Sequence, residues 1–349
     1  MAKILLMAGG TGGHVFPALA VAEALQAKGH TVQWLGGARG LEQKVVPKAG
    51  IRLHSISTQG LRGKGLLGWL LAPFRLLHAV GQALALVRSI KPDLIIGFGG
   101  FASGPGGLAA LLLRLPLVVH EQNARAGLTN RVLARLGAKS LQAFDGALPK
   151  AKTVGNPIRQ QLAHASVRQT ESKLKVLVIG GSLGARALNQ SLPECMSQWQ
   201  LQQDICIWHQ CGEQDLSATQ ERYQSLALEA SVVPFIQDMA KAYAWADVIV
   251  CRAGALTVSE VAAQGLPALF IPFPYAVDDH QYANAQYLVS VGAAFCLRQS
   301  EMQPSQVLPL LLQLGDAKHR HIMAQAALTQ AKPHATQAVV DYSLQLIGA

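Results

Sequence analysis

Lys3-Ile4-Leu5-Leu6-Met7-Ala8-Gly9-Gly10-Thr11-Gly12-Gly13-His14-Val15-Phe16-Pro17 decides how the rest of the chain is read. An apolar run of strand length breaks into glycines around one threonine, and an alanine- and leucine-rich helical pattern follows over residues 17–27. Strand, glycine turn, helix is the opening of a parallel α/β sheet. The same unit returns at residues 174–179, Gly180-Gly181-Ser182-Leu183-Gly184 and residues 185–192. A third, residues 93–96 followed by the glycine-rich stretch 97–107, lies inside the first half. Short apolar runs at residues 31–35, 117–120, 205–209, 248–251 and 268–271 fit further strands between helical patterns. The polar, aperiodic stretch 156–173 reads as a linker, so the chain is expected to form two doubly wound α/β domains joined near it. The sheet order does not follow from these patterns.

A chain of 349 residues suits two domains of roughly 150–180 each. Half the residues are hydrophobic, enough for two cores, which excludes a disordered chain. Cys195, Cys206, Cys211, Cys251 and Cys296 form no C-x-x-C pair and leave one over, a pattern of reduced cytosolic thiols without a structural zinc. The first apolar run ends at once in glycines, so it reads as a strand and not as a signal peptide. The longest apolar stretches, residues 66–72 and 108–113, fall far short of the roughly 20 residues a membrane span needs.

Charge is divided unevenly. Residues 1–160 hold 19 Lys and Arg against five acids, a net +14, while the other 11 and 15 give −4. A basic N-terminal half suits an anionic partner, either nucleic acid or an anionic membrane surface and a phosphorylated ligand. No helix-turn-helix, zinc-finger or RNP-like pattern accompanies it, which argues against nucleic acid.

A glycine turn between strand and helix lets backbone amides approach a phosphate, and the helix dipole favours the anion. A nicotinamide-dinucleotide fingerprint starts well at Gly10-Thr11-Gly12 but has Val15 at its sixth position, and no acid stands at the end of the second strand. No G-x-x-x-x-G-K-[ST] occurs either. His14, at the mouth of a helix, is placed to take a proton from a hydroxyl held near the first loop. In the second half Ala255-Leu256-Thr257-Val258-Ser259-Glu260 follows Arg252-Ala253-Gly254 after a strand. Its helix start offers amides to a diphosphate, and Glu260 is placed to accept from ribose hydroxyls. Asp278-Asp279-His280-Gln281 lacks the spaced D-x-D that grips a nucleotide-bound cation, so no metal is expected.

The ordered set Gly9-Gly10-Thr11-Gly12-Gly13-His14, Gly99-Gly100-Phe101-Ala102-Ser103-Gly104-Pro105, His120-Glu121-Gln122-Asn123, Val154-Gly155-Asn156-Pro157-Ile158-Arg159, Gly180-Gly181-Ser182 and residues 254–260 resembles the MurG family over nearly the whole chain. That family consists of N-acetylglucosaminyltransferases of peptidoglycan precursor synthesis. The resemblance implies the B-type glycosyltransferase fold, two Rossmann-like domains facing across a cleft. Residues 1–160 would form the acceptor- and membrane-facing domain, completed by a last helix over about 333–349, and residues 161–332 the UDP-sugar domain. It further implies inverting transfer from UDP-N-acetylglucosamine to undecaprenyl-diphosphate-linked muramoyl-pentapeptide, at the cytoplasmic face of the inner membrane and with no cofactor.

Carried over by position, Thr11, Gly12, Gly13, Asn123, Arg159 and Ser182 would touch the donor or its diphosphate, with the first loop facing the acceptor diphosphate as well. Ile236 would meet the uracil through its backbone. Ala255, Leu256, Thr257, Val258, Ser259 and Glu260 would hold phosphates and ribose, and Gln281 the sugar hydroxyls. One extra residue within 273–280 makes Gln286 the alternative to Gln281. His14 is the first choice of general base and Glu121 the second.

Residues 61–75 set Leu67, Trp69, Leu70 and Phe74 beside Arg62, Lys64 and Arg75, a composition suited to anionic lipid, with Pro73 opening a helix. Two rivals keep other roles open. One is a different nucleotide-sugar enzyme, either a glycolipid synthase or an epimerase, the latter with no use for an apolar patch. The other is a catalytically idle membrane adaptor, which would have no use for His14, Glu121, Arg159 and Glu260 together.

Overall fold

The computed structural model describes residues 1–57, 72–163, 173–181 and 184–349. The chain divides into two compact units, Met1–Arg159 with His334–Ala349, and Gln160–Pro333.

In the first unit the described strands are β1 (Lys3–Met7), β2 (Thr31–Gly37), β3 (Arg52–Ile56), β4 (Leu94–Gly97), β5 (Leu117–Glu121), β6 (Lys139–Gln142) and β7 (Lys152–Thr153). They form one parallel sheet in the order β3-β2-β1-β4-β5-β6-β7, with Leu6 in register with Trp34 on one side and Ile96 on the other. The helices between them are α1 (Gly12–Ala27), α2 (Glu42–Val45), α3 (Ala72–Ile90), α4 (Ser103–Leu112) and α5 (Leu128–Arg135). Alternation along β1 sends Ile4 and Leu6 to one core, with Val21 and Leu25 of α1, and Leu5 and Met7 to the other, with Ala83 and Val87 of α3. A strand covered on both faces has to be apolar at every position, which is why β1 and β4 read as unbroken runs.

The second unit repeats the plan with β8 (Leu174–Ile179), β9 (Ile205–Gln210), β10 (Ala230–Val233), β11 (Val248–Cys251), β12 (Ala268–Phe270) and β13 (Ala294–Cys296), in the parallel order β10-β9-β8-β11-β12-β13. Its helices are α6 (Arg186–Gln200), α7 (Leu216–Ser225), α8 (Met239–Trp245), α9 (Ala255–Gln264), α10 (His280–Val289), α11 (Pro304–Gly315) and α12 (Ala317–Thr329). The last helix, α13 (Ala335–Gln345), belongs to the first unit, where Val339, Val340 and Leu344 join the core beneath α1.

Two expected helix bounds are corrected. Helix α1 begins at Gly12 rather than at residue 17, since Pro17 removes only the bond its amide would have made to the preceding turn. Helix α6 runs past Pro193 to Gln200, because Leu188, Leu192, Cys195, Met196 and Trp199 continue one buried face. Strands β3, β6, β7, β10 and β13 were not anticipated. Sequences such as Lys139-Ser140-Leu141-Gln142 are too short and too polar for an apolar-run criterion.

Both sheets share the doubly wound order, so the strand sequence reverses between β1 and β4 and again between β8 and β11. Ligands of such sheets bind beyond the carboxyl ends of the strands at this reversal. All four strands there run into the singled-out segments: Gly9–Gly13, the 97–107 stretch, Gly180–Gly184 and Arg252–Glu260.

Candidate active site

In the first unit, Thr11 caps α1 in extended conformation and its carbonyl accepts the amides of His14 and Val15, both at 3.2 Å. The amides of Gly12 and Gly13 precede the first intrahelical bond and point out of the helix start. Residue 100 has to be glycine: its φ is +86°, and a Cβ there would collide with the carbonyl oxygen of Gly9. The two loops at the reversal are thereby in backbone contact. Ser103 Oγ fastens them further, within reach of the carbonyls of Met7 at 3.0 Å and Gly99 at 2.7 Å.

The half-buried imidazole of His14 lies over Gly99, where an added Cβ would stand 3.2 Å from Nε2. The same position is 3.6 Å from Nδ2 of Asn130, which donates to Glu121 Oε2 at 2.9 Å and to the His120 carbonyl at 3.1 Å. His14, Gly99, Asn130 and Glu121 are therefore neighbours. The buried Glu121 carboxylate is heavily engaged: Oε1 also accepts from the Asn123 amide at 2.9 Å and Nδ2 at 3.2 Å, and Oε2 from the Gly127 amide at 3.1 Å. It organises the turn that presents Asn123. Arg159 is exposed and its guanidinium sits 4.8 Å over the ring of Phe16, beside the first turn of α1.

In the second unit, Ser182 lies outside the described residues, but both sides of its loop are tied down. Gln210 Nε2 donates to the carbonyls of Gly181 at 2.9 Å and Pro234 at 3.1 Å, joining the loop to the segment that carries buried Ile236. A Cβ on Gly184 would collide with the Cys211 carbonyl oxygen. That carbonyl accepts from Asn189 Nδ2 at 2.9 Å, whose Oδ1 meets Nε2 of buried His209 at 3.1 Å. Burial pushes the His209 pKa down to about 3, so the ring is a neutral strut.

Helix α9 starts after Gly254 with no side-chain cap, and the amides of Ala255, Leu256 and Thr257 precede its first intrahelical bond. Leu256, Thr257, Ser259 and Glu260 are half-exposed, whereas Ala255 and Val258 are buried and offer a ligand only backbone. Ser259 Oγ donates to its own helix at Ala255, and Tyr243 donates to Glu260 Oε2 at 2.8 Å, orienting that carboxylate. Gln281 Oε1 accepts from the Phe273 amide at 2.9 Å, which fixes the side chain and leaves its NH2 to donate. Asn284 Nδ2 donates to the Ala253 carbonyl at 3.2 Å, bringing α10 against the start of α9; Gln286 is half-buried further along α10. Asp279 is engaged by Arg298 at 2.9 Å. Among the described residues no three His, Cys, Asp or Glu side chains cluster as a metal site requires.

Three residues of the site went unassigned in the sequence. Gln210 and Glu42 act by hydrogen bonds across long sequence separations. Arg252, half-buried, donates to the carbonyls of Ile271 at 3.0 Å and Pro272 at 3.2 Å and to Gln299 at 2.7 Å, while its guanidinium lies 5.6 Å over Phe273. A cation directly after a buried strand was the available signal. Of the apolar-basic segment, Arg62, Lys64, Leu67, Trp69 and Leu70 lie outside the described residues. Phe74 and Arg75 are exposed in the first turn of α3, with Pro73 its second residue.

Residues 4–142 match the glycosyltransferase family 28 N-terminal domain and residues 175–339 its C-terminal domain. The class defined by fold and site is thus that of two-domain glycosyltransferases. Within it, the chain is 50% identical, over 99% of its length and 98% of the relative's, to the UDP-N-acetylglucosamine–N-acetylmuramyl-(pentapeptide) pyrophosphoryl-undecaprenol N-acetylglucosamine transferase of Pseudomonas putida. It is 49% identical to the Marinobacter nauticus enzyme of the same name, covering 98% of this chain and 97% of that one. The crystal structure of Acinetobacter baumannii MurG superposes with a TM-score of 0.88 at 43% identity, covering 99% of this chain and all of that one. The chain belongs to the MurG family of glycosyltransferase family 28.

Proposed function

We propose that the chain transfers N-acetylglucosamine from UDP-N-acetylglucosamine to the muramoyl-pentapeptide carried on undecaprenyl diphosphate, yielding lipid II and UDP. The observation that carries this reading is identity near 50% to enzymes so named over almost the entire length. The loops at both strand reversals supply the matching chemistry.

The reaction is a single displacement. The acceptor hydroxyl oxygen attacks the anomeric carbon, and the bond to the UDP oxygen breaks with its electron pair leaving on UDP. The configuration inverts, giving a β-1,4 link. His14 accepts the hydroxyl proton. The amides of Ala255, Leu256 and Thr257 and the guanidinium of Arg159 stabilise the charge that grows on the leaving diphosphate, and Ser182 belongs with this set. Glu260 accepts from the ribose hydroxyls, Ile236 meets the uracil through its backbone, and the fixed NH2 of Gln281 reads sugar oxygens. Thr11, Gly12 and Gly13 offer amides to the acceptor diphosphate, and Asn123 contacts the donor.

Association with the cytoplasmic face of the membrane is peripheral in this reading. No helix among the described residues is long and apolar enough to cross a bilayer. Helices α3, α4 and α5 pack in series. They leave Phe74, Leu77, Leu112 and Leu128 exposed. Arg75, Arg131 and Arg135 are exposed on the same helices. Arginines interleaved with exposed apolar side chains suit an anionic lipid surface better than nucleic acid.

The test follows both UDP release from UDP-N-acetylglucosamine and the identity of the remaining sugar nucleotide, with a short-chain lipid-linked muramoyl-pentapeptide present or omitted. Release that requires the acceptor supports the reading. Conversion of the donor without acceptor would put an epimerase in its place.

A further inference from the structure

Glu42 is one of the five acids of the basic first half, and it is fully buried. It follows a turn off the end of β2 and opens the single-turn helix α2. Three glycines, Gly9 of the first loop and Gly36 and Gly40 on the run leading into α2, make room for its side chain. A Cβ on Gly9 would stand 2.6 Å from Oε1, one on Gly36 2.9 Å from Cγ, and one on Gly40 would overlap Oε2. The cavity is shaped for a carboxylate. Oε2 accepts from the Gly10 amide at 2.9 Å and Oε1 from the Gly37 amide at 3.1 Å. The bond is reciprocated: the Leu41 amide donates to the Gly10 carbonyl at 3.3 Å. Gly10 is thus gripped at both its N–H and its C=O by two consecutive residues, at a φ of +94°.

Gly10 stands immediately before Thr11, whose carbonyl starts α1 and orients His14. We infer that Glu42 is the positioning residue of the first glycine loop, holding Thr11–Gly13 and His14 in their reactive placement without touching substrate. This rests on the proposed role of that loop on the acceptor side. Its carboxylate consumes the Gly10 amide, so within this loop it is the amides of Thr11, Gly12 and Gly13 that are placed for an anion.

The test compares Glu42→Gln with Leu41→Pro. Glutamine carries one NH2 where two carboxylate oxygens faced amides, so one backbone donor loses its partner whichever way the side chain turns. Leu41 has φ −62°, which proline adopts unstrained, so that variant removes only the second bond of the grip, and Leu41→Ala controls for the lost side chain. The measurements are kcat with the lipid-linked acceptor, UDP affinity and melting temperature. Expected is a kcat lowered about 10- to 100-fold in Glu42→Gln, and less in Leu41→Pro, with UDP affinity retained, melting temperature lowered only by the few degrees that one unpaired buried amide costs, and Leu41→Ala close to the parent. Wild-type turnover in both variants overturns the inference. So does a parallel loss of turnover, UDP affinity and melting temperature, or failure of both to fold, since the carboxylate would then serve the fold alone. Absence of transfer by the parent protein would instead sink the proposed function, which keeps the two failures apart.

Discussion

Nε2 of His120, at the end of β5, donates to the carbonyl oxygen of Gly155 over 2.9 Å. Nδ1 accepts from Gln122 Nε2 at 3.1 Å, so both ring nitrogens are used by the neutral tautomer. One imidazole thereby joins the Glu121–Asn123 turn to the loop ending at Arg159, two stretches that sequence separates widely.

The burial of this ring sets a pH dependence. Burial outweighs the Gly155 bond and the Glu121 charge and pushes the His120 pKa down to about 4, from 6.5 in the unfolded chain. The folded state favours the neutral ring, so its contribution is fully present above pH 6.5 and is lost as pH falls towards 4. At most it amounts to about 3 kcal/mol. Urea midpoints of the parent should therefore decline over this window, and His120→Gln should decline less. His209 in the other unit, with its pKa near 3, retains part of the slope in both. Identical slopes would count against the assignment.

The two candidate bases separate on stability. Glu121 accepts four hydrogen bonds from Asn123, Gly127 and Asn130, so Glu121→Gln should lose about 1–3 kcal/mol of stability along with activity. His14→Ala should lower kcat by about 10²- to 10⁴-fold with little change in melting temperature. If His14→Ala keeps its turnover while Glu121→Gln loses only turnover, the roles reverse.

What the sequence conveyed follows from which forces are local. Strands such as Leu94–Gly97 and Val248–Cys251 are covered on both faces and announce themselves as apolar runs. The glycine turns mark close backbone approaches, as at Gly100. Edge strands such as β3, Arg52-Leu53-His54-Ser55-Ile56, carry polar residues because part of their surface meets water. Grips such as Glu42 on Gly10 and Gln210 on Gly181 join residues about 30 apart in the chain, and no local pattern encodes that distance.

Arg252 tests the second unit. Lysine cannot reproduce its fork to Ile271, Pro272 and Gln299 or its contact with Phe273. In Arg252→Lys the KM for UDP-N-acetylglucosamine should rise about tenfold or more, with the acceptor KM changed less. Unchanged UDP affinity by calorimetry would remove Arg252 from the donor site.

Surface residues test membrane association. Phe74 and Leu77 are about 70% exposed and serve no core. Replacing both with serine should weaken binding to vesicles containing anionic lipid and leave UDP affinity and melting temperature intact. A loss of stability instead would indicate a packing role for this turn of α3.

The central claim is tested most directly by following radiolabel from UDP-N-acetylglucosamine into a short-chain lipid-linked muramoyl-pentapeptide, with and without EDTA. The account predicts label in the lipid product, joined through a β-linkage, in both conditions. Folded protein that binds UDP yet leaves the lipid unlabelled would contradict the acceptor assignment, and transfer abolished by EDTA would contradict stabilisation of the leaving diphosphate by amides and Arg159.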